Sequence, residues 1–216
     1  MFLFESFSHP LSQALADQCR TAGFRAVDAQ EHGGIDAALA AVGAPKALIL
    51  APPMLCETAD LKRALADPDM IPAFAARIQA DAMGFLRACR AVTLAMMPQK
   101  GGQVLFLGVD DVAARIIGLP ETPIGNQLRV SGLKSLAKEY GRMGIKYNTI
   151  ISQPARDAAS PEVWRDCRDA LKVYTMRFTP AETHDYAAFC WSVLINDVPL
   201  NGGIICLGKG VMEMAA

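Results

Sequence analysis

The chain has 216 residues with 21 Lys and Arg against 22 Asp and Glu, a formal net charge of −1, and 52% hydrophobic side chains. That length and hydrophobicity support one domain with a buried core and exclude a disordered chain, while the near-zero charge leaves no electrostatic drive toward nucleic acid or an anionic membrane. The six cysteines form no Cys-x-x-Cys pair and the three histidines stand far apart, so reduced core thiols in a cytoplasmic protein are expected, with no metal site.

Glu5 and His9 interrupt the opening apolar run and no apolar stretch approaches membrane-spanning length, so neither a signal peptide nor a spanning helix is expected. FLF at the start reads as a strand, followed by a helix over Pro10–Ala22 with Ser8 as its N-cap and Pro10 in its first turn. FRAV from Phe24 and ALIL from Ala47 are the next strands, with a short helix over Ile35–Val42 between them. A long helix over roughly Pro72–Met97, a strand QVLFLG from Gln103, a helix over Ile124–Met143 and a strand KYNTII from Lys146 follow. Helices over Pro161–Tyr174 and Ala181–Ile195 and a last strand GIICLG complete the pattern. Most strands are continuous apolar runs, as in parallel sheets covered on both faces. Strand–helix alternation over one domain length predicts an α/β doubly wound parallel sheet of Rossmann type.

Both long helices are apolar on two faces. On the first, Ile78, Ala82, Phe85, Cys89, Val92 and Met96 make the stripe that should cover the sheet, and Met83, Leu86, Leu94 and Met97 make a second patch. On the other, Leu133, Leu136, Ala137 and Tyr140 form one stripe, with Ile124 and Leu128 beside it. A helix with two apolar faces needs two partners, so Met83, Leu86, Leu94, Met97, Ile124 and Leu128 are the expected interface residues. Gly84, Ala88, Ser131 and Gly132 are small enough to let helices of two subunits approach closely.

The stretches SLAKEYGRMGIKYNTI, DAMGFLRACRAVTLAM, GQVLFLGV and RFTPAETHDYAAFCWSVLINDVPLNGGIICLGKG together resemble, in the right order, four segments of the short-chain dehydrogenase/reductase family. The resemblance covers nearly everything after Ala47. That family's chemistry uses a tyrosine acid/base, a lysine four residues later, a serine and an asparagine. Carried onto this chain, the serine position falls on Val109, the tyrosine on Thr122, the lysine on Asn126 and the asparagine on Asp81. None keeps the family's functional group, and a threonine hydroxyl cannot replace a phenol of lowered pKa.

The resemblance also implies a glycine-rich turn before the first helix, and its glycines fall on Ser6, Pro10 and Ser12. Those glycines would let backbone amides approach a pyrophosphate at the helix N-terminus, whereas Pro10 brings a ring and lacks an N–H. The family's groove segment Asn-Asn-Ala-Gly appears here as Leu50, Ala51, Pro52 and Pro53. Between FRAV and ALIL only residues 28–46 remain, so a shortened sheet lacking the third strand is expected. Asp28 lies where an NAD-selecting acid would sit, and without its surroundings it reads as an exposed turn or capping residue.

Residues 1–216 thus read as a single domain with a degenerate cofactor lobe over 1–60, oligomerisation helices at about 72–97 and 124–143, and a C-terminal strand at 203–208. The resemblance implies a non-catalytic subunit of a heteromeric dehydrogenase, for instance a heterotetramer acting on hydroxyacyl-thioester or similar substrates. No cofactor is expected on this chain, NAD(P) is expected in an intact partner subunit, and no nucleic acid or membrane is expected as a partner. A homo-oligomeric ligand-binding or regulatory protein is the alternative. A third is an oxidoreductase with new catalytic residues, for which Asp81, Asp110, Asp111 and Thr122 are candidates. The segment with Trp164 lies where the family covers its substrate, though its apolar side also suits a surface helix on its own core.

Overall fold

The short apolar runs form one sheet, which a computed structural model describes within residues 1–53, 56–196 and 198–210. Its strands are β1 (Phe2–Phe4), β2 (Ala26–Asp28), β3 (Ala47–Leu50), β4 (Gly102–Val109), β5 (Ile145–Ser152) and β6 (Ile204–Leu207). All pairings are parallel and the spatial order is β2-β1-β3-β4-β5-β6. Phe2 stands opposite Ala26 on one side and Ala47 on the other, and Gly102 pairs with Ile145. Between β2 and β3 lie only a turn at Gln30–His32 and the helix α2 (Ile35–Val42), so β2 is the edge of a sheet shortened as expected, with no further strand outside it among the described residues.

Successive strand residues point to opposite faces, and both faces are covered. Leu3, Leu48, Val104 and Phe106 pack with Phe85, Val92 and Met96 of α4 (Ile71–Met96) and Leu133 of α6 (Pro123–Tyr140). The alternate residues Phe2, Phe4, Ile49 and Leu105 pack with Leu15 and Cys19 of α1 (Pro10–Thr21) and Cys190 and Val193 of α8 (Thr183–Ile195). Two further helices, α3 (Glu57–Ala66) and α5 (Asp111–Ile116), lie in segments the apolar periodicity leaves unassigned.

The last expected surface helix is shorter than its pattern. α7 (Pro161–Asp166) stops after one and a half turns, and a 3-10 turn at Ala170–Val173 follows. The break lets Leu171 and Tyr174 join Ala113 and Ile117 in a small separate core, with Trp164 stacked on Phe178 at 6.1 Å. The segment therefore packs on its own core. The N-cap of α1 is His9 rather than Ser8, because the imidazole Nδ1 accepts the Leu11 amide. Cys19, Cys89 and Cys190 are buried, but Cys56 and Cys206 are exposed, so the cysteines are not uniformly core thiols.

Helices α4 and α6 meet where Gly132 faces the buried Phe85: a Cβ there would lie 2.7 Å from the ring. Gly132 thus serves contact within the chain, and Ala88 is likewise buried. Met83, Leu86, Leu94 and Ile124 are exposed, whereas Met97 and Leu128 are half-buried against the chain's own core. Gly132→Ala should destabilise the fold by about 1–3 kcal/mol through overpacking, read by urea unfolding, and adding Phe85→Leu should recover part of that loss.

Candidate functional site

The C-terminal ends of β1, β3, β4 and β5 open into a cleft with a cavity of about 180 Å³, walled by Pro10, Leu11, Pro52, Pro53, Leu119 and Pro120 among others. In open α/β sheets ligands bind at this end of the strands. Val109 ends β4, Thr122 is the N-cap residue of α6, and Asn126 lies in its second turn. The structure brings these three together. Asn126 Nδ2 donates to the Val109 carbonyl and to Asp111 Oδ2, both at 3.0 Å, and the Thr122 amide donates to Asp111 Oδ1 at 2.9 Å. The Asp111 carboxyl is pushed above its usual range, first by burial and against the pull of the Asn126 and Thr122 hydrogen bonds. Its neighbour Asp110 caps α5 through the Ala113 amide and accepts the Tyr174 hydroxyl at 2.9 Å.

Asp81 lies apart from that trio, on α4. Both its oxygens meet the Arg129 guanidinium of α6, at 2.6 and 2.8 Å. Arg129 is 3% exposed and sits between the Phe85 and Phe106 rings, at 5.6 and 5.7 Å from their centroids. Beside it, the buried Glu57 carboxylate accepts the Ile124 and Gly125 amides at 2.7 and 3.0 Å. Those are orphan donors of the first turn of α6, so Glu57 does the work of an N-cap from another helix. Pairing periodicity cannot reveal Arg129 or Glu57, since their partners lie 48 and 67 or more residues away in sequence.

The turn after β1 is closed by its own side chains. Asp28 Oδ2 accepts the Phe7 amide at 2.9 Å, Ser6 Oγ accepts the Ser8 amide at 3.0 Å, and His9 Nδ1 accepts the Leu11 amide at 3.2 Å. Pro10 has no amide proton to offer. Ser12 is fully buried in α1 and its hydroxyl has no hydrogen-bond partner. Asp28 also accepts the Gln30 amide and is buried; it is a turn residue, but not an exposed one. A pyrophosphate needs free amides at this place, and the residues present are a poor match for it. The His9 imidazole is pushed down to about 4 by burial and is neutral near pH 7.

Among the described residues no cluster of His, Cys, Asp or Glu could hold a metal ion, and no helix is long and apolar enough to cross a membrane. The sequence matches no protein-family model and no curated protein. Solved structures of short-chain dehydrogenase/reductase proteins share this fold. TT0495 protein from Thermus thermophilus superposes with a TM-score of 0.70 at 16% identity, covering 96% of this chain and 97% of that one. A gluconate 5-dehydrogenase from Burkholderia cenocepacia, solved in complex with NADP and tartrate, gives 0.61 at 16% identity over 96% and 92% of the two chains. An oxidoreductase of the short chain dehydrogenase/reductase family from Burkholderia thailandensis gives 0.63 at 17% identity over 95% and 90%.

Asp81→Ala would leave the Arg129 charge buried and unpaired, so it should destabilise the protein by roughly 3–5 kcal/mol in urea unfolding. Glu5, which accepts the Ala51 amide, has its carboxyl raised above the usual value near 4.5, first by burial. A raised acid contributes stability that is present below the unfolded value and lost as pH rises through the folded one. Glu5→Gln keeps the acceptor and removes the charge, so its stability relative to the wild type should increase as pH rises above about 4.5, measured by urea unfolding at stepped pH.

Proposed function

We propose that this chain is a non-catalytic subunit of a short-chain dehydrogenase/reductase assembly, binding no dinucleotide itself and packing through α4 and α6 against a subunit of the same architecture. The observation that carries the reading is the fate of the reactive positions. Asn126, where the resemblance implies a lysine, spends its amide on the Val109 carbonyl and Asp111. Val109, where it implies a serine, has no polar side chain, and Asp81 is held by Arg129. Hydrogen bonds within the fold thus occupy groups that acid/base work would need free. The Phe7, Ser8 and Leu11 amides of the turn after β1 are spent in the same way.

Assembly is supported by the groove between α4 and α6, floored by Phe85 and Gly132 and edged by Leu86, Ile124 and Leu128. Met83, Leu86, Leu94 and Ile124 are large apolar side chains left 38–49% exposed, so completing their burial is worth about half of the roughly 1.5–3 kcal/mol of a full burial each. The corresponding helix pair of a second subunit, antiparallel across a two-fold or pseudo-two-fold axis, would cover this groove. The partner in the proposed assembly is an intact subunit that supplies the cofactor and the reacting groups.

Light scattering of the purified chain, alone and co-expressed with an intact dehydrogenase encoded beside it, tests the reading. Oligomers are expected with the partner, and Leu86→Asp should release monomers by burying an unpaired carboxylate at the contact. Calorimetric titration with NADH and NADPH should show no binding to this chain. A well-behaved monomer under both conditions, or micromolar affinity for either nucleotide, would overturn the proposal.

A further inference from the structure

The cleft retains unspent hydrogen-bonding groups that neither assembly nor packing explains. Thr122 is 5% exposed and lines the cavity. As the N-cap residue of α6 it would ordinarily cap the first turn with its hydroxyl, but Glu57 already holds the Ile124 and Gly125 amides. The Thr122 side chain makes no capping bond. Its amide donates to Asp111 and its carbonyl accepts the Asn126 amide, which leaves the hydroxyl proton free among the described residues. The Ser12 and Tyr186 oxygens are sealed as well as unpartnered, and the Thr122 oxygen is not among such sealed atoms.

Across the cavity stands His9. Its Nδ1 accepts the Leu11 amide and burial keeps the ring neutral down to about pH 4, so the one ring proton sits on Nε2. His9 lines the same cavity, and that N–H has no partner among the described residues. Two neutral donors thus face a space whose walls include five proline rings, at positions 10, 52, 53, 120 and 154. Prolines present hydrocarbon and no N–H. An apolar cavity of about 150 Å³ is enough to bind benzene, and this one is about 180 Å³. The carboxylates Asp111 and Asp157 also line it, which disfavours an anion.

We infer that the cleft binds a small uncharged ligand, about one ring in size, with a single hydrogen-bond acceptor held by the Thr122 hydroxyl and the His9 Nε2–H. The site is independent of the assembly proposed above. It is also too small for a dinucleotide.

Three probes that share one ring separate the contributions: toluene, methyl benzoate and benzoate. Methyl benzoate should bind saturably in calorimetry or saturation-transfer NMR, with a dissociation constant on the order of millimolar, as suits about ten non-hydrogen atoms. Toluene should bind on the order of tenfold to a hundredfold more weakly, the worth of two neutral hydrogen bonds. Benzoate should be weaker still, because its charge meets the two aspartates. Thr122→Val should weaken methyl benzoate roughly threefold to tenfold, the worth of one of its two hydrogen bonds, and leave toluene unchanged, and Ala155→Phe, which fills the cavity, should abolish both. If Ala155→Phe fails to fold, the selective loss in Thr122→Val still locates the site. Absence of binding by all three probes to folded protein, or methyl benzoate binding unmoved by Thr122→Val, would overturn the inference. The Leu86→Asp variant should bind methyl benzoate as the wild type does, so the ligand and assembly proposals stand or fall separately.

Discussion

The Arg129–Asp81 ion pair fixes how the two long helices meet, and much of the cleft's character follows from it. A guanidinium removed from water is tolerable only if its charge is matched and its faces are covered. Here Asp81 meets two of its nitrogens, and Phe85 and Phe106 lie over it. Such a pair need not add net stability, since desolvation offsets most of the attraction. What it does is reject alternatives: sliding α4 past α6 by one turn would strand a buried charge. The fit of Phe85 against Gly132 rejects the same slips sterically. Register is therefore specified twice, once by charge and once by shape.

That arrangement sits beside the place where the resembling family keeps a proton relay. A reactive centre requires polar groups held in position but left free to exchange protons. In this chain the acids nearby are held in hydrogen bonds within the fold. Asp111 accepts two hydrogen bonds, Glu57 accepts the first amides of α6, and Asp110 serves both the start of α5 and Tyr174. The acids near β4 therefore act as caps and ties. The Asp110-Asp111 pair, visible in sequence as a candidate acid/base couple, illustrates the point: one residue caps a helix and the other anchors a loop.

Most of the sheet could be read directly, because most strands carry apolar runs, fully buried in β1 and β3, and because the shortened interval between β2 and β3 leaves no room for another strand. The long helices were legible for the same reason. Boundaries failed where polar contacts, rather than apolar period, decide. α3 and α5 have few buried apolar residues, Ala64 in one and Ala113 and Ala114 in the other, so no stripe announces them. The helix expected over Pro161–Tyr174 breaks because Tyr174 is drawn to Asp110 and Leu171 to Ile117, contacts with residues over 50 positions away. His9 as a cap was missed because an imidazole is an uncommon one, and the nearby serines are the better sequence signal. Arg129 carried no signal beyond its own charge, since its meaning depends on Asp81 and the two rings.

Loss of the third strand has a structural consequence that reaches the cleft. With it gone, β2 becomes an edge, and an edge of only three residues offers little to a second chain. Its last residue, Asp28, turns its carboxylate back onto the Phe7 and Gln30 amides. In doing so it ties down the turn after β1, where His9 lines the cavity with its ring oriented by the Leu11 amide. On the opposite wall Glu57 relieves Thr122 of capping duty. Two helix starts, each capped in an unusual way, thus leave one donor apiece at the mouth of a proline-lined cavity. An unpaired donor in an apolar site is unfavourable unless something accepts from it. The chemistry of the walls defines that acceptor: neutral, because acids line the cavity, and compact, because the prolines cannot yield.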